Sequence, residues 1–378
     1  MSRPAVDEFS SSSGGRSDDA FMRRALALAV RGWGQTAPNP LVGAVVVADG
    51  EIVGEGYHAR YGSAHAEIGA LAAAGARARE ATLYVTLEPC AHHGKTPPCA
   101  DAVIAAGIAR VVAAVRDPSL VARGGVERLR AAGIQVDVGI ARDAALELNA
   151  PFFAAQTRNR PWVTLKLALS ADGGIADPTG AHRWITGPAS RLAVHWQRAN
   201  VDAIAVGIGT VIADDPSLTV RDVPAPRVAP LRVVFDSRLR TPANANLVMT
   251  AREVPTLILV DNGFDAERLA AILDAGAQVS LAHGLGTRLG LLAARGVRSL
   301  YVEGGARLAG SLLRESFVDR LIIFRSSLAL GPGAPKAFAF APAGFEPSLA
   351  ERHIVEVRRY EDDVMTTYAL EDVPCSLD

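Results

Sequence analysis

With 378 residues, 49% of them hydrophobic and 21% charged, the chain is long enough for two domains of roughly 100 to 200 residues each, both able to bury a core. Its 39 Lys and Arg nearly cancel its 40 Asp and Glu, which excludes a global positive field and argues against a nucleic-acid partner. Three cysteines, Cys90, Cys99 and Cys375, are too few for a disulfide framework and indicate a reducing, cytoplasmic setting, while no apolar run approaches the roughly 18 to 20 residues that would place the chain in a membrane.

Residues 1–17, with Ser10 to Ser13 followed by Gly14-Gly15, lack both the apolar region of a signal peptide and any periodic pattern, so they read as a flexible tail. Asp18-Asp19 suit a helix N-terminus ahead of Ala20 to Arg31, where Phe21, Ala25, Leu28 and Ala29 share a face and Gly32 closes the helix. Leu41 to Ala48 and Glu51 to Tyr57 form an antiparallel pair joined through Asp49-Gly50. An alanine-rich helix, a closing Gly and a β-branched strand then recur over Ala70 to Val85, Ala102 to Val115 and Val126 to Val138. This alternation implies a layered α/β domain over 18–155, and the polar, basic, proline-ended stretch 156–161 reads as a linker. A second α/β series fills 162–378, with strands expected at Trp162 to Leu169, Ala203 to Gly207, Leu231 to Asp236, Thr256 to Val260, Gln278 to Leu281, Ser299 to Glu303 and Arg320 to Arg325. Helices are expected at Pro188 to Ala199 and Ala306 to Leu313.

The chemistry of the first domain is concentrated in His65-Ala66-Glu67, Pro89-Cys90 and Pro97-Pro98-Cys99. His65 opens a helix over Ala64 to Ala74, Cys99 opens another over Cys99 to Ala106, and Cys90 follows the strand Ala81 to Leu87, so loop ends and helix starts can converge on one metal. His65, Cys90 and Cys99 supply three zinc ligands and leave a fourth position for water, the arrangement of a hydrolytic site. Glu67 cannot share the helical face of His65, so it stands beside the metal as the proton shuttle. The alternative is a core histidine with two ordinary buried cysteines, and His92 and His93 are alternative ligands. His-x-Glu with proline before each Cys is the signature of zinc base deaminases, but those acting on nucleic acids separate their cysteines by two residues, whereas eight intervene here. The added loop, His92-His93-Gly94-Lys95-Thr96, is cationic and suits a phosphorylated small substrate. Asn39, between Pro38 and Pro40, is either a turn residue or a hydrogen-bonding group for a pyrimidine edge.

In the second domain, Lys166, Ser170, Asp172 and Gly173 close a strand that would carry a cation into a cleft, unless Lys166 snorkels at the surface. Gly207-Ile208-Gly209-Thr210 follows a strand, and Val302-Glu303-Gly304-Gly305 repeats the arrangement with a carboxylate. Both are either phosphate-approaching turns or plain tight turns, and neither fits the Gly-x-Gly-x-x-Gly fingerprint. Arg198 and Arg221 are either phosphate clamps or solvated residues.

Together these motifs, with Arg183-Trp184-Ile185-Thr186 and Ala213-Asp214-Asp215-Pro216-Ser217-Leu218-Thr219-Val220-Arg221, resemble the bifunctional deaminase/reductase family of bacterial riboflavin biosynthesis, from about Asp19 onward. The resemblance implies a cytidine-deaminase-like three-layer domain that deaminates a diaminopyrimidinone carrying a phosphoribosylamino group. It also implies a dihydrofolate-reductase-like domain that then reduces the ribosyl group to ribityl with NADPH. Carried over by motif, the substrate side of the reductase comprises His182, Arg198, Leu218, Arg221 and Glu303, and a cation such as Lys166 can polarise the opened sugar's anomeric centre. The cofactor side comprises Ala168, Trp184, Thr210, Asp214, Ser237 and the turn Gly305, Ala306, Arg307, Leu308, Ala309, Gly310 and Ser311. The chain departs from the family's usual residues at His182 (commonly Ser), Ala168 (commonly Gly) and Gly174 (commonly Lys or Arg). A homo-oligomer is expected. The rival readings are a tRNA or nucleoside deaminase with an unrelated second domain, which the near-neutral charge disfavours, and a zinc-stabilised nucleotide-sensing protein.

Overall fold

A computed structural model describes residues 17–93, 97–262 and 265–374. Most of the expected tail, Gly94-Lys95-Thr96 of the cationic loop and Cys375 lie outside these residues. The chain divides into two compact units, with the main changeover between Thr157 and Arg158.

In the first unit, α1 (Asp18–Ala29) leads to the hairpin β1 (Gly43–Ala48) and β2 (Glu51–Tyr57). The chain then runs through α2 (Ala66–Ala74), β3 (Thr82–Val85), α3 (Cys99–Ala105), β4 (Arg110–Ala113), α4 (Gly125–Ala131) and β5 (Gln135–Val138) to α5 (Arg142–Leu148) and α6 (Ala150–Thr157). The sheet order is β2-β1-β3-β4-β5, with β1 antiparallel to both neighbours and β3, β4 and β5 parallel. Alternate residues of the strands feed two cores, which makes the three layers. Ala44, Val46, Leu83 and Val111 meet α2, α3 and α4, whereas Val45, Tyr84 and Val112 meet α1, α5 and α6.

Small residues set the closest of these contacts. A Cβ on Gly54 or Gly56 of β2 would stand 2.2 Å from the carbonyl oxygen of Ala70 or Ala66. The alanine-rich α2 therefore lies directly on the strand, and its N-terminus, with His65 as the capping position, is held rigidly at one end of the sheet.

The second unit contains β6 (Trp162–Leu169), α7 (Pro188–Arg198), β7 (Ala203–Gly207), α8 (Ile208–Asp214), β8 (Leu231–Phe235), α9 (Asn246–Met249), β9 (Thr256–Val260), α10 (Ala266–Asp274) and β10 (Gln278–Leu281). It continues with α11 (Gly284–Ala294), β11 (Ser299–Val302), α12 (Ala306–Arg314), β12 (Arg320–Arg325), α13 (Phe345–Ser348), β13 (Ile354–Tyr360) and β14 (Asp363–Ala369). The sheet order is β10-β9-β8-β7-β11-β6-β12-β14-β13, parallel from β10 to β12, with β14 and β13 antiparallel at one edge. Helices cover both faces: α11 and α12 pack on Leu165, Leu167 and Val302, and α7 packs near Tyr301, Ile322 and Phe324.

Each strand expected in 162–325 is present, whereas β13 and β14, and helices α5 and α6, were not anticipated. Two boundaries differ with consequences for the site. The helix after His65 starts at Ala66, so His65 is not itself helical. Likewise α8 begins at Ile208, so Gly209 and Thr210 form its first turn rather than a free loop.

Candidate active sites

The first site assembles where α2, α3 and the turn after β3 begin or end. His65 Nδ1 is 3.2 Å from Cys99 Sγ and 3.7 Å from Cys90 Sγ, and the ligand atoms of this triplet all lie within 4.8 Å of one another. Tetrahedral zinc, with Zn–N of about 2.0 Å and Zn–S of about 2.3 Å, requires ligand separations of about 3.5 Å, so the spacing fits. The thiols also suit a cation. A hydrogen bond from Cys99 and another from His65 lower Cys90, against the effect of burial, and Cys99 is correspondingly pushed up by sharing its proton with Cys90.

Glu67, in the first turn of α2, is 4% exposed. Burial raises its carboxyl to about 7, partly offset by a backbone hydrogen bond and by His65. A carboxyl poised there exchanges protons readily near neutrality. Asn39, His58, Glu67, Asp117 and Phe152 line the cavity around the triplet, which holds about 370 Å3.

The cavity also contains residues that the motifs did not single out. His58 Nδ1 lies 3.2 Å from the Ala64 carbonyl, and its Nε2 lies 3.3 Å from Asn39 Nδ2. With Nδ1–H donating to that carbonyl, Nε2 accepts from Asn39, which fixes the orientation of the Asn39 amide. Asp117, raised to about 6 mainly by burial, lines the same cavity as His92. The sequence signal for His58 was faint, a lone histidine one residue past a strand.

Cys90 is braced from behind. The buried Glu88 carboxylate accepts backbone N–H bonds from Asp117 (3.1 Å), Gly124 (3.1 Å) and Val126 (2.9 Å). A Cβ on Gly125 would meet the Pro89 carbonyl oxygen at 1.8 Å, so the 117–126 segment is pressed onto the Glu88-Pro89-Cys90 turn.

The second site lies on the α7 face of the larger sheet. Strand alternation sends Lys166 of β6 and Glu303, just past β11, to that face, and α7 brings Arg198 over them. Arg198 donates two hydrogen bonds to Glu303, at 2.5 and 3.0 Å, and Lys166 Nζ stands 4.0 Å from the same carboxylate. All three side chains are at most 15% exposed. Burial alone would raise Glu303, but Arg198 and Lys166 hold it at about 2, while burial pulls Lys166 down.

Arg198 also donates to the Thr219 carbonyl, which brings the backbone of the segment leading to Arg221 to the same place, while the Leu218 side chain, 4% exposed, packs into the core with Val211 and Leu247. His195, one turn before Arg198, accepts the Arg221 backbone N–H; its i, i+3 spacing from Arg198 was a signal left unused. On the cofactor-type residues, a Cβ at Gly305 would lie 3.8 Å from Thr210 Oγ1 and one at Gly207 3.5 Å from Leu308, so the β7–α8 and β11–α12 connections adjoin. Trp184 is exposed, with Arg183 and Arg191 against its ring, and Asp214 is raised by burial.

The remaining predicted residues are more scattered. Ser237 accepts a hydrogen bond from Arg288, and His182 is exposed in the 177–187 segment. The residues after Gly305 form the first turns of α12 rather than the expected turn; there Ala309 is buried in the core and a Cβ at Gly310 would strike the Phe340 backbone. Those two positions serve helix packing, whereas Arg307 reaches Phe340 and Ser311 pairs with Arg314.

Residues 16–115 match the family described as "Cytidine and deoxycytidylate deaminase zinc-binding region", and residues 161–365 match "RibD C-terminal domain". The chain is 46% identical to the riboflavin biosynthesis protein RibD of Aquifex aeolicus (strain VF5), over 84% of this chain and 88% of the relative. The chain belongs to the RibD family. RibD of Escherichia coli (strain K12) is 41% identical over 84% of this chain and 89% of its own.

Among solved RibD structures, form 1 of the Acinetobacter baumannii protein is 36% identical with a TM-score of 0.80, covering 93% of this chain and 98% of that one. The Thermotoga maritima structure, described as a diaminohydroxyphosphoribosylaminopyrimidine deaminase/5-amino-6-(5-phosphoribosylamino)uracil reductase, is 34% identical with a TM-score of 0.80 over 95% and 99%. As a RibD protein the chain is a bifunctional deaminase/reductase of riboflavin biosynthesis, with the cytidine-deaminase-like and dihydrofolate-reductase-like domains read from its motifs.

Proposed function

We propose that the first domain deaminates 2,5-diamino-6-(5-phosphoribosylamino)pyrimidin-4(3H)-one and that the second reduces the ribosyl chain of the deaminated product to ribityl. The observation that carries this reading is the pairing, in one chain, of the His65, Cys90, Cys99 and Glu67 cluster with a separate buried cluster of Lys166, Arg198 and Glu303. His65, Cys90 and Cys99 would hold zinc, and Thr210, Asp214, Trp184 and the start of α12 from Gly305, with Ala168 and Ser237, would hold NADPH. When bound, zinc lends Lewis acidity toward water and NADPH supplies a hydride.

The chain's own residues do the rest. Glu67 takes up a proton beside the metal ligands and returns it to the leaving amino nitrogen. Asn39, oriented by His58, hydrogen-bonds the pyrimidine edge. In the reductase, the sugar must open before its anomeric carbon can be reduced, and Lys166 polarises that centre while Glu303 orients the hydroxyls. Arg198, Arg221, Leu218 and His182 hold the phosphoribosyl group. The thiol ligands support a reducing, cytoplasmic location. The open edge of β13, with Ile354 and Val357 exposed, supports a homo-oligomer, and among the described residues no helix is long and apolar enough to cross a membrane.

The test uses the full chain with Glu67→Gln. Ammonia release from the diaminopyrimidinone should stop, while NADPH oxidation with the deaminated intermediate continues at the wild-type rate and zinc content is unchanged. Loss of both activities in a folded protein would refute the division of labour.

A further inference from the structure

The segment after α8 is strained. Asp215, Leu218 and Asp222 have φ of 39°, 48° and 61°, so three residues other than glycine adopt the left-handed region within eight positions. Such a shape persists only when its surroundings impose it, and the surroundings do so from three elements. Asn246 of α9 caps the start, donating its backbone N–H to Asp215 Oδ1 at 2.8 Å and its amide to the Asp215 carbonyl and Oδ2. Arg232 of β8, fully buried, donates to the Ser217 carbonyl at 3.1 Å. Arg198 of α7 donates to the Thr219 carbonyl at 2.9 Å. The last hold is His195, whose Nδ1 accepts the Arg221 backbone N–H at 3.2 Å.

We propose that His195 is a positioning residue of the reductase, holding the backbone of Arg221 so that the strained segment presents Arg221 and the backbone at Leu218 to the phosphoribosyl substrate. This rests on the reading that those two residues bind that substrate. Asn246 and Arg232 fix the beginning of the segment, and Arg198 fixes its middle. Among the described residues, His195 supplies the side-chain acceptor for the backbone N–H at position 221, immediately before the strained Asp222. The imidazole suits the task. It is 8% exposed, and burial with the neighbouring Arg198 and Arg221 charges keeps it neutral, at about 4. Its accepting Nδ1 lone pair is therefore present throughout the neutral range, and a rigid ring anchored one turn from Arg198 ties the loop to the helix that supplies Arg198 to the Lys166 and Glu303 cluster.

The test compares His195→Asn, whose amide oxygen can stand where Nδ1 stands, with His195→Leu, in the full chain. With the deaminated intermediate as substrate, His195→Leu should raise its KM by about tenfold or more, with kcat and the KM for NADPH changed by less than about twofold. His195→Asn should recover most of the loss. Ammonia release by the same preparations checks that the chain is folded. If His195→Leu is insoluble, His195→Gln replaces it, because its longer amide misplaces the acceptor and should show the raised KM that His195→Asn does not.

A substrate KM within about twofold of wild type in both disrupting variants overturns the proposal. So does a joint fall of kcat, NADPH affinity and melting temperature that Asn fails to rescue, since that marks a merely structural histidine. Arg221→Ala separates the two levels. If it leaves the substrate KM unchanged, the binding role of Arg221 fails; if it raises KM while His195→Leu does not, only the inference about His195 fails.

Discussion

Lys166 is in an environment that opposes its own charge. Burial pulls its pKa down, Glu303 partly restores it, and Glu303 makes its short hydrogen bonds with Arg198 rather than with the lysine. Removing the lysine therefore leaves the Arg198–Glu303 pair intact and relieves a desolvation cost, whereas removing Glu303 would strand two cations. Lys166→Met should leave stability within about 1 kcal/mol of wild type, or raise it, as is common where function maintains a strained group. Reduction should fall by roughly 100-fold to 10,000-fold, the range for a lost proton-handling or polarising group. Thermal melts and NADPH oxidation check both halves, and a strongly lowered melting temperature would make Lys166 a structural residue. The zinc triplet was legible because its residue types have few alternative uses at that spacing. Lys166 was legible only as one of two readings, because a lysine on a strand is also consistent with a snorkelling side chain. For His58 and His195 the local signals, a histidine just past a strand and an i, i+3 spacing from Arg198, are faint, since each acts on a neighbour's amide or backbone and a hydrogen-bond partner distant in sequence leaves no local pattern.

At the level of elements, glycines decide how closely the metal site is assembled. Gly54 and Gly56 let α2 lie on β2, and Gly125 lets α4 start against the Pro89 carbonyl. Gly125→Ala forces a Cβ to within 1.8 Å of that oxygen, and it should destabilise the protein by about 1 to 3 kcal/mol or more, as overpacking does. The displacement falls on the turn carrying Cys90, so purified Gly125→Ala should also retain less zinc, measured by metal analysis, while NADPH oxidation with the deaminated intermediate is spared. Full zinc content with an unchanged melting temperature would show that the turn accommodates the methyl. The repeated helix, glycine and strand phrase predicted α2 to β5 because amphipathic spacing and closing glycines are local signals. β13 and β14 are not legible because their apolar residues, Ile354, Val355, Val357 and Tyr360 in one and Val364, Met365, Tyr368 and Ala369 in the other, follow no alternation, and their turn at Glu361-Asp362 has neither Gly nor Asn. The positive φ there falls on Glu361. Packing accounts for Gly174: a Cβ there would stand 2.8 Å from the Ala334 Cβ and 3.0 Å from Ser170 Oγ, which leaves no room for the Lys or Arg that the resemblance leads one to expect.

For the molecule as a whole, the two activities sit in units with separate sheets and separate cores. A ligand that binds only the folded form of one unit stabilises that unit by mass action, by about 2.7 kcal/mol at a free concentration 100 times its dissociation constant. Zinc and NADPH should therefore act on different parts of the unfolding curve. Calorimetry of the zinc-loaded protein should resolve two transitions. A chelator should lower one of them and stop ammonia release, because two buried thiols and an imidazole lose the cation that holds them together. NADPH should raise the other and leave the chelator-sensitive transition where it was, and reduction of the deaminated intermediate should survive chelation. A chelator that lowers both transitions equally, or that abolishes reduction along with deamination, would mean that the deaminase core supports the reductase fold, and the two reactions would then share more than a polypeptide.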